Sequence, residues 1–225
     1  MEMFTKDFID FFKELSQNNN KKWFDQNRKR YENSVKIPFR SFVERMIEKI
    51  HSDDPEIKIT PAESIFRINR DIRFSRDKTP YKTQASALIS RTGKKDKGFP
   101  GIFFSMGAKN IMIYGGAHSI EKERLYNIRK YISEHTDTFS NLLDDSVFKE
   151  KYGRIHGEKN KRIPAEFNEA AEKQPLLFNK AFYYYAKLDA KLALNPDLEN
   201  IFMDYYLAAK PMRDFLISAV NKEEQ

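Results

Sequence analysis

The hydrophobic pattern of this chain changes period twice, and that change limits the folds open to it. Phe4, Phe8, Phe11, Phe12 and Leu15 recur at the spacing of a single helix face, because at 3.6 residues per turn side chains three, four and seven apart line up together. Thr5 stands where a helix cap belongs. Asn18-Asn19-Asn20 ends the stripe; asparagine tolerates left-handed backbone at a helix end and caps the helix that follows. A second helical stretch carries Trp23, Phe24, Tyr31, Val35 and Phe39 on to about Ile50. Pro38 inside it predicts a kink or a division, since proline has no amide to donate to the preceding turn.

From about residue 57 to 117 the period shortens to two. Phe66, Ile68, Ile72 and Phe74 alternate with Arg67, Asn69, Asp71 and Arg73, as on the two faces of a strand. Residues 75–80 make a turn and residues 81–90 the next strand. Residues 102–106 and 111–114, joined through Gly107-Ala108-Lys109-Asn110, predict a hairpin that Gly115-Gly116 closes. The helical period returns after Ser119, an expected cap, through Leu125, Ile128 and Ile132, with shorter helices to Tyr152. A long polar connection covers residues 153–167, and the run Phe182-Tyr183-Tyr184-Tyr185 suits a last strand over residues 182–188 better than a helix. Asn195-Pro196 opens a closing helix with a kink expected at Pro211. No internal repeat or linker interrupts the pattern. The expectation is a single domain over residues 1–225 of the α+β class, a central, mostly antiparallel sheet with N-terminal helices and a C-terminal helix packed on it.

Composition narrows the chemistry. The chain has no cysteine, which excludes disulfides, thiolate metal sites and thiol catalysis and fits a reducing cytoplasm. The four histidines are scattered without metal-ligand spacing, and no glycine-rich phosphate loop or Gly-x-Ser-x-Gly elbow is present. No metal and no cofactor is therefore expected. Acids near the N-terminus argue against a leader peptide, and no window approaches the roughly 18 apolar residues of a membrane span. A soluble, cytoplasmic protein is expected, with no membrane partner. Oligomeric state leaves no sequence signal. The net charge of +7 favours anionic partners, either small molecules or nucleic acid.

Much of that charge is concentrated between residues 66 and 82. Arg67, Arg70, Arg73, Arg76, Lys78 and Lys82 face only Asp71 and Asp77, a local charge of +4. On a strand, Arg67, Asn69, Asp71 and Arg73 would form a polar row about 20 Å long. Arg70 would fall on the apolar face, where an unpartnered guanidinium costs several kcal/mol; Glu63, Glu158 and Glu166 are the partners considered. A purely structural account, with Arg70 in a buried ion pair and the row knit into a cross-strand ladder, competes with a functional one. In the functional account Arg67, Arg73 and Lys78 clamp an anion through charge-assisted hydrogen bonds. Asp71 or Asp77 orients them or serves as the acid/base group, and Tyr81 and Lys82 return to the same face.

These residues also carry a resemblance. Arg67-x-x-Arg70-Asp71-x-Arg73-Phe74 followed by Asp77-Lys78-x-Pro80-Tyr81-Lys82 resembles the signature of the domain-of-unknown-function 2461 family, uncharacterised and mainly bacterial proteins of about this length. Asn18-Asn19-Asn20 with Trp23-Phe24, and Gly153, Glu158, Lys161, Arg162 and Pro164 downstream, extend the similarity over most of the chain. The resemblance implies that the signature and the downstream segment serve one design, which adds Lys161 and Arg162 to the expected ligand-binding set. It supplies no activity. The leading functional expectation is a domain that binds a phosphate-bearing anion through the arginine-rich segment and the turn after it. The alternatives are a cysteine- and zinc-independent enzyme acting on a phosphate or carboxylate substrate, and an interaction module whose charges only hold the sheet. Elsewhere, Lys94, Lys95, Lys97 and Lys109 border the hairpin with Phe99, Phe103 and Tyr114 near them, a composition also compatible with single-stranded nucleic acid.

Overall fold

The computed structural model describes residues 3–221. Helices α1 (Lys6–Gln17), α2 (Lys21–Gln26) and α3 (Arg28–Tyr31) lead into a single π-helical turn, Glu32–Lys36, and then α4 (Ile37–Asp53) and α5 (Pro61–Ser64). Strands β1 (Gln84–Ile89), β2 (Gly101–Gly107) and β3 (Asn110–Ala117) follow, then α6 (Lys122–Glu134), α7 (Thr136–Asp144), α8 (Ser146–Tyr152) and α9 (Asn168–Lys173). Strand β4 (Phe182–Asp189) precedes α10 (Leu198–Ala208) and α11 (Lys210–Asn221). The four strands pair antiparallel in the order β1-β2-β3-β4, so the fold is α+β, as the change of period predicts. The chain divides into two compact units. The first takes the chain through Lys94, then Phe103–Ile113 and Lys187–Met203; the second takes Lys95–Ile102, Tyr114–Ala186 and the chain from Asp204 on.

In the first unit the N-terminal stripe becomes the core: Phe4, Phe8, Phe11, Phe12 and Leu15 are all fully buried. Phe42 of α4, Phe104 of β2 and Phe202 of α10 meet edge to face, with ring centroids 5.0 to 5.7 Å apart. Such pairs add about 0.5–1.5 kcal/mol each beyond the area they bury. The asparagine triplet divides its work: Asn18 ends α1, and the Asn20 side chain accepts from Trp23 N at 3.0 Å to start α2. Thr5 precedes α1 in extended backbone without a side-chain cap bond. Pro38 falls in the first turn of α4, where its missing amide costs nothing, so the kink expected there is a division of the helix after the π turn. Arg30 of α3 forks between two carboxylates of α1, donating to Asp7 at 2.6 and 2.9 Å and to Glu14 at 2.8 Å. This clamp sets α3 and the π turn against α1.

In the second unit, Phe182 and Tyr184 of β4 point inward against Phe139, Phe148 and Tyr152. Gly115 lies under the Tyr184 ring, where a Cβ would stand 2.3 Å from a ring carbon, and Gly116 has a φ of +88°. The two glycines therefore lie inside β3 and permit its close approach to β4, instead of ending the strand. Ser119 adopts positive φ and the helix begins after Glu121, three residues into the expected helical segment. Buried Arg129 of α6 donates to Leu177 O at 2.8 Å and Asn179 O at 3.1 Å, fixing the approach to β4. Asn160 N donates in turn to Phe178 O, and His156 bridges Tyr183, so the polar connection runs beside β4. The closing helix breaks at Ala209, with Pro211 in the first turn of α11.

The Arg30 clamp gives the first unit a defined acid response. Hydrogen bonds from Arg30 hold the Asp7 and Glu14 carboxyls below their ordinary values, so the unfolded chain takes up these protons more readily than the folded one. The clamp's contribution is present at neutral pH and is lost as the pH falls from about 4 through the lowered folded values. Arg30→Met, which keeps an unbranched stem but removes the guanidinium that lies over the Phe11 ring, is expected to cost about 1 kcal/mol at pH 7 because the groups are partly solvated. In thermal unfolding that is a fall of about 2–4 °C, with the two melting curves converging below pH 3.

Candidate functional site

The arginine-rich segment leaves α5 as one arm of a two-stranded ribbon and returns into β1. Ser64 Oγ donates to Leu88 O at 2.8 Å, Ile65 bridges Ala87, and Phe66 N donates to Ser86 O at 2.9 Å. Further out, Lys82 N donates to Ile68 O, Asn69 bridges Tyr81, and Arg70 N donates to Pro80 O. Between these two sets one arm advances from Phe66 to Ile68 while its partner advances from Ser86 to Lys82. The surplus residues on the returning arm form a bulge, and regular strand begins only at Gln84. The strand expected over residues 66–74 is thus replaced by isolated bridges, while the one expected over residues 81–90 forms as β1 from Gln84 and leaves Tyr81 in an isolated bridge. A two-stranded ribbon beyond the sheet has no third strand to hold its register.

The ribbon is fastened at its returning arm. Asn19 mimics a backbone strand partner: its Nδ2 donates to Tyr81 O at 2.9 Å and its Oδ1 accepts from Tyr81 N at 3.1 Å. The Tyr81 ring, only 6% exposed, stacks on Phe24 with centroids 4.0 Å apart and planes within 14°. Tyr81 is a positioning residue whose ring is spent in that stack, and the Lys82 ammonium lies 5.3 Å over the Phe66 ring.

Most of the charge beyond this anchor is engaged by the ribbon itself. Arg70 is not buried on an apolar face; its guanidinium bonds Asp77 and Thr79 and stays about a quarter exposed. Neither Glu63, Glu158 nor Glu166 is its carboxylate; Glu158 pairs with Lys180. Arg73 forks onto Asp71 at 2.7 and 3.0 Å, and Lys78 Nζ donates to Ile72 O at 2.9 Å inside the turn. The 20 Å polar row does not form, because the chain turns at Ile72–Ser75 and leaves Phe74 96% exposed. Arg73 chiefly lowers the Asp71 carboxyl, while the Thr79 amide and then Arg70 bring Asp77 down to about 2. Both carboxylates are ionised turn anchors with little basicity at neutral pH.

Arg67 is placed differently. It lines a cavity of about 310 Å³ where the bulge separates the ribbon from β1. The apolar wall comes from Val35, Phe39, Ile65, Ile68 and Ala85, and the cations from Lys36, Arg40, Arg67 and Lys94. No aspartate or glutamate lines it. Lys94 donates to Ala62 O and Ile65 O at the end of α5, and Lys36 has a distant partner in Glu32 at 3.8 Å. Among the described residues, Arg40 and Arg67 form no ion pair with a carboxylate within 4.0 Å. Tyr31 contributes to the wall, and burial, aided by Glu32, pushes its hydroxyl up to about 12, so it stays protonated as a donor. The arrangement combines an apolar pocket with guanidinium groups that no lining carboxylate neutralises, although Arg67 lies near enough to Asp71 to help lower its carboxyl.

Sequence reasoning named Arg67, did not name Lys36, Arg40 or Tyr31 for a site, and placed Lys94 among the basic residues bordering the hairpin. Lys36 and Arg40 stand four apart around Pro38 and alternate with Val35 and Phe39, a pattern in which basic groups border an apolar face at a helix break. Lys161 and Arg162 belong to the second unit, both exposed in the connection that runs beside β4. Among the described residues no group of three or more histidines or acids is placed to hold a metal ion, and no helix is long and apolar enough to cross a membrane.

Fold and pocket together define an α+β protein with a small cationic cavity at the root of a charged ribbon. The chain belongs to the DUF2461 family of conserved hypothetical proteins, whose profile matches residues 7–215. A comparison with curated proteins finds no match.

The anchor predicts how the ribbon fails. Asn19→Ala leaves the Tyr81 amide and carbonyl without their partner, a loss of about 1–3 kcal/mol. Thermal unfolding of Asn19→Ala is expected to show that loss, and hydrogen exchange at the Tyr81 amide to accelerate well beyond that of β2 amides.

Proposed function

We propose that the cavity binds a small phosphate- or carboxylate-bearing molecule with an apolar body, and that the protein is a cytoplasmic anion-binding domain. One observation carries this: Arg67 and Arg40 line a cavity that contains no carboxylate, whereas the neighbouring Arg70 and Arg73 are taken up by Asp77 and Asp71. Both guanidinium groups are exposed, and a guanidinium fork matches phosphate or carboxylate in bidentate geometry. The volume sits at the lower end of the range for ligand pockets, roughly 300–1,000 Å³, which favours a single phosphate or carboxylate group over a dinucleotide. The Tyr31 hydroxyl supplies a neutral donor, and Phe66 and Phe39 supply surface for the ligand's apolar part. With Asp71 and Asp77 fixed as ionised turn anchors, the alternative of an enzyme using them as the acid/base group has the weaker support.

Thermal-shift titration with phenyl phosphate and with inorganic phosphate tests the proposal. A ligand at 100 times its dissociation constant stabilises by about 2.7 kcal/mol, a rise of several degrees. Phenyl phosphate is expected to bind more tightly than phosphate, and Arg67→Ala or Arg40→Ala to weaken it about 10- to 100-fold, the loss of one charge-assisted hydrogen-bonding group. Arg73→Ala is expected to leave binding unchanged. An equal response in the parent and in Arg67→Ala, or no response to either anion, overturns the assignment.

A further inference from the structure

The outward face of the second unit carries a row of aromatic rings that no feature of the cavity uses. Along β4, Phe182, Tyr184 and Ala186 point inward, which turns Tyr183 and Tyr185 to the other face. Tyr114 of β3 lies beside Tyr185, centroids 5.5 Å apart. The His156 ring lies 4.8 Å from Tyr185 and 5.8 Å from Tyr183, within 25° of parallel to the latter, and His118 meets Tyr183 at 5.4 Å. Five rings thus form one continuous surface, with Tyr185 38% exposed and His118 exposed. A core would have buried these rings and a plain solvated sheet would carry polar side chains here. Gly116, between Tyr114 of β3 and His118 just after it, adds no side chain.

The edge of this surface is basic. The connection that bridges β4 at His156 and the segment leading into β4 at Lys159 carries Arg154, Lys159, Lys161 and Arg162, all exposed. Its one acid between Arg154 and Arg162, Glu158, is matched by Lys180 at 3.5 Å. Burial and the nearby Arg154 lower the His156 pKa, so at neutral pH it is an uncharged ring available for stacking. We infer that this face is a platform for single-stranded nucleic acid, with bases stacked on the Tyr114, Tyr183, Tyr185 and His156 rings and the phosphates tracking the Arg154–Arg162 edge. Bases stack on exposed aromatics irrespective of sequence, and a basic margin follows the backbone. A duplex hides the base faces and cannot use the rings. A neutral sugar chain could use the rings but not the margin.

The test is fluorescence anisotropy of the full chain with a labelled oligo-uridine, an oligo-thymidine of the same length, a duplex and a neutral oligosaccharide. Single strands are expected to bind and the duplex and sugar to bind far more weakly, and the two single strands tell whether the sugar 2′-hydroxyl contributes. Tyr185→Ala is expected to weaken single-strand binding about 5- to 100-fold, and Tyr185→Phe to restore it to within about 2-fold of the parent. The double change Lys159→Ala with Arg162→Ala, at exposed positions that leave the fold undisturbed, is expected to flatten the dependence of affinity on salt. Arg67→Ala, which removes a cation from the separate cavity, is expected to change none of these values. Parent protein that binds no single strand at low salt, or binds duplex equally well, overturns the inference. So does Tyr185→Ala or the double variant with parent affinity and salt slope.

Discussion

The placement of the charged ribbon rests on the contact between Asn19 and Tyr81. A carboxamide that donates to one backbone carbonyl and accepts from the same residue's amide does the work of a strand partner with a single side chain. It operates at the point where the ribbon, bulged away from β1, has lost the sheet's own ladder. The Phe24 stack beneath Tyr81 ties the two bonds to the helix that follows the asparagine triplet. Without this joint, Arg67 would hang from a hinge at the bulge, and the cavity wall that it completes would have no fixed position.

Charge in the ribbon sorts into two kinds once the joint is in place. Beyond Asn69 the chain must make a turn with no core to fold against, so its cations and anions organise one another: Arg70 with Asp77, Arg73 with Asp71, Lys78 with carbonyls. These pairs are largely exposed and contribute little stability each; their effect is conformational, holding the shape of the turn. Inside the joint the balance reverses. Arg67 and Arg40, both exposed, border apolar surface without an acid in the cavity wall, so no lining carboxylate organises them as Asp77 and Asp71 organise Arg70 and Arg73.

The α+β class and the antiparallel hairpin were legible from period and the last strand from its run of aromatics, and the stripe of α1 is buried as its spacing predicts. The ribbon was misread for a physical reason. Alternation from Phe66 to Phe74 reports strand propensity but not the presence of a neighbour, and the bulge at residues 83–85 that removes the neighbour leaves no mark in hydrophobicity. The same error carried Arg70 into a core it never enters, since its true partner, Asp77, lies seven residues on across the turn. Composition draws attention to Arg67, while Lys36 and Arg40, which line the same cavity, come from a segment more than twenty residues earlier and join it only by tertiary packing.

The π turn at Glu32–Lys36 explains why those helix residues reach the cavity at all. Each residue of a regular helix turns the chain by about 100°, so a turn widened by one residue re-aims everything after it by that amount relative to what came before. Tyr31 precedes the insertion and Lys36, Phe39 and Arg40 follow or end it, yet all line the same wall. A wide turn is a poorer hydrogen-bonding arrangement than an α-helix, and such turns persist mostly where they serve a site. Here Arg30 holds the near side to α1 and Pro38 starts α4 on the far side. The break between them is thereby fixed at the residues that give the cavity its donor and two of its cations.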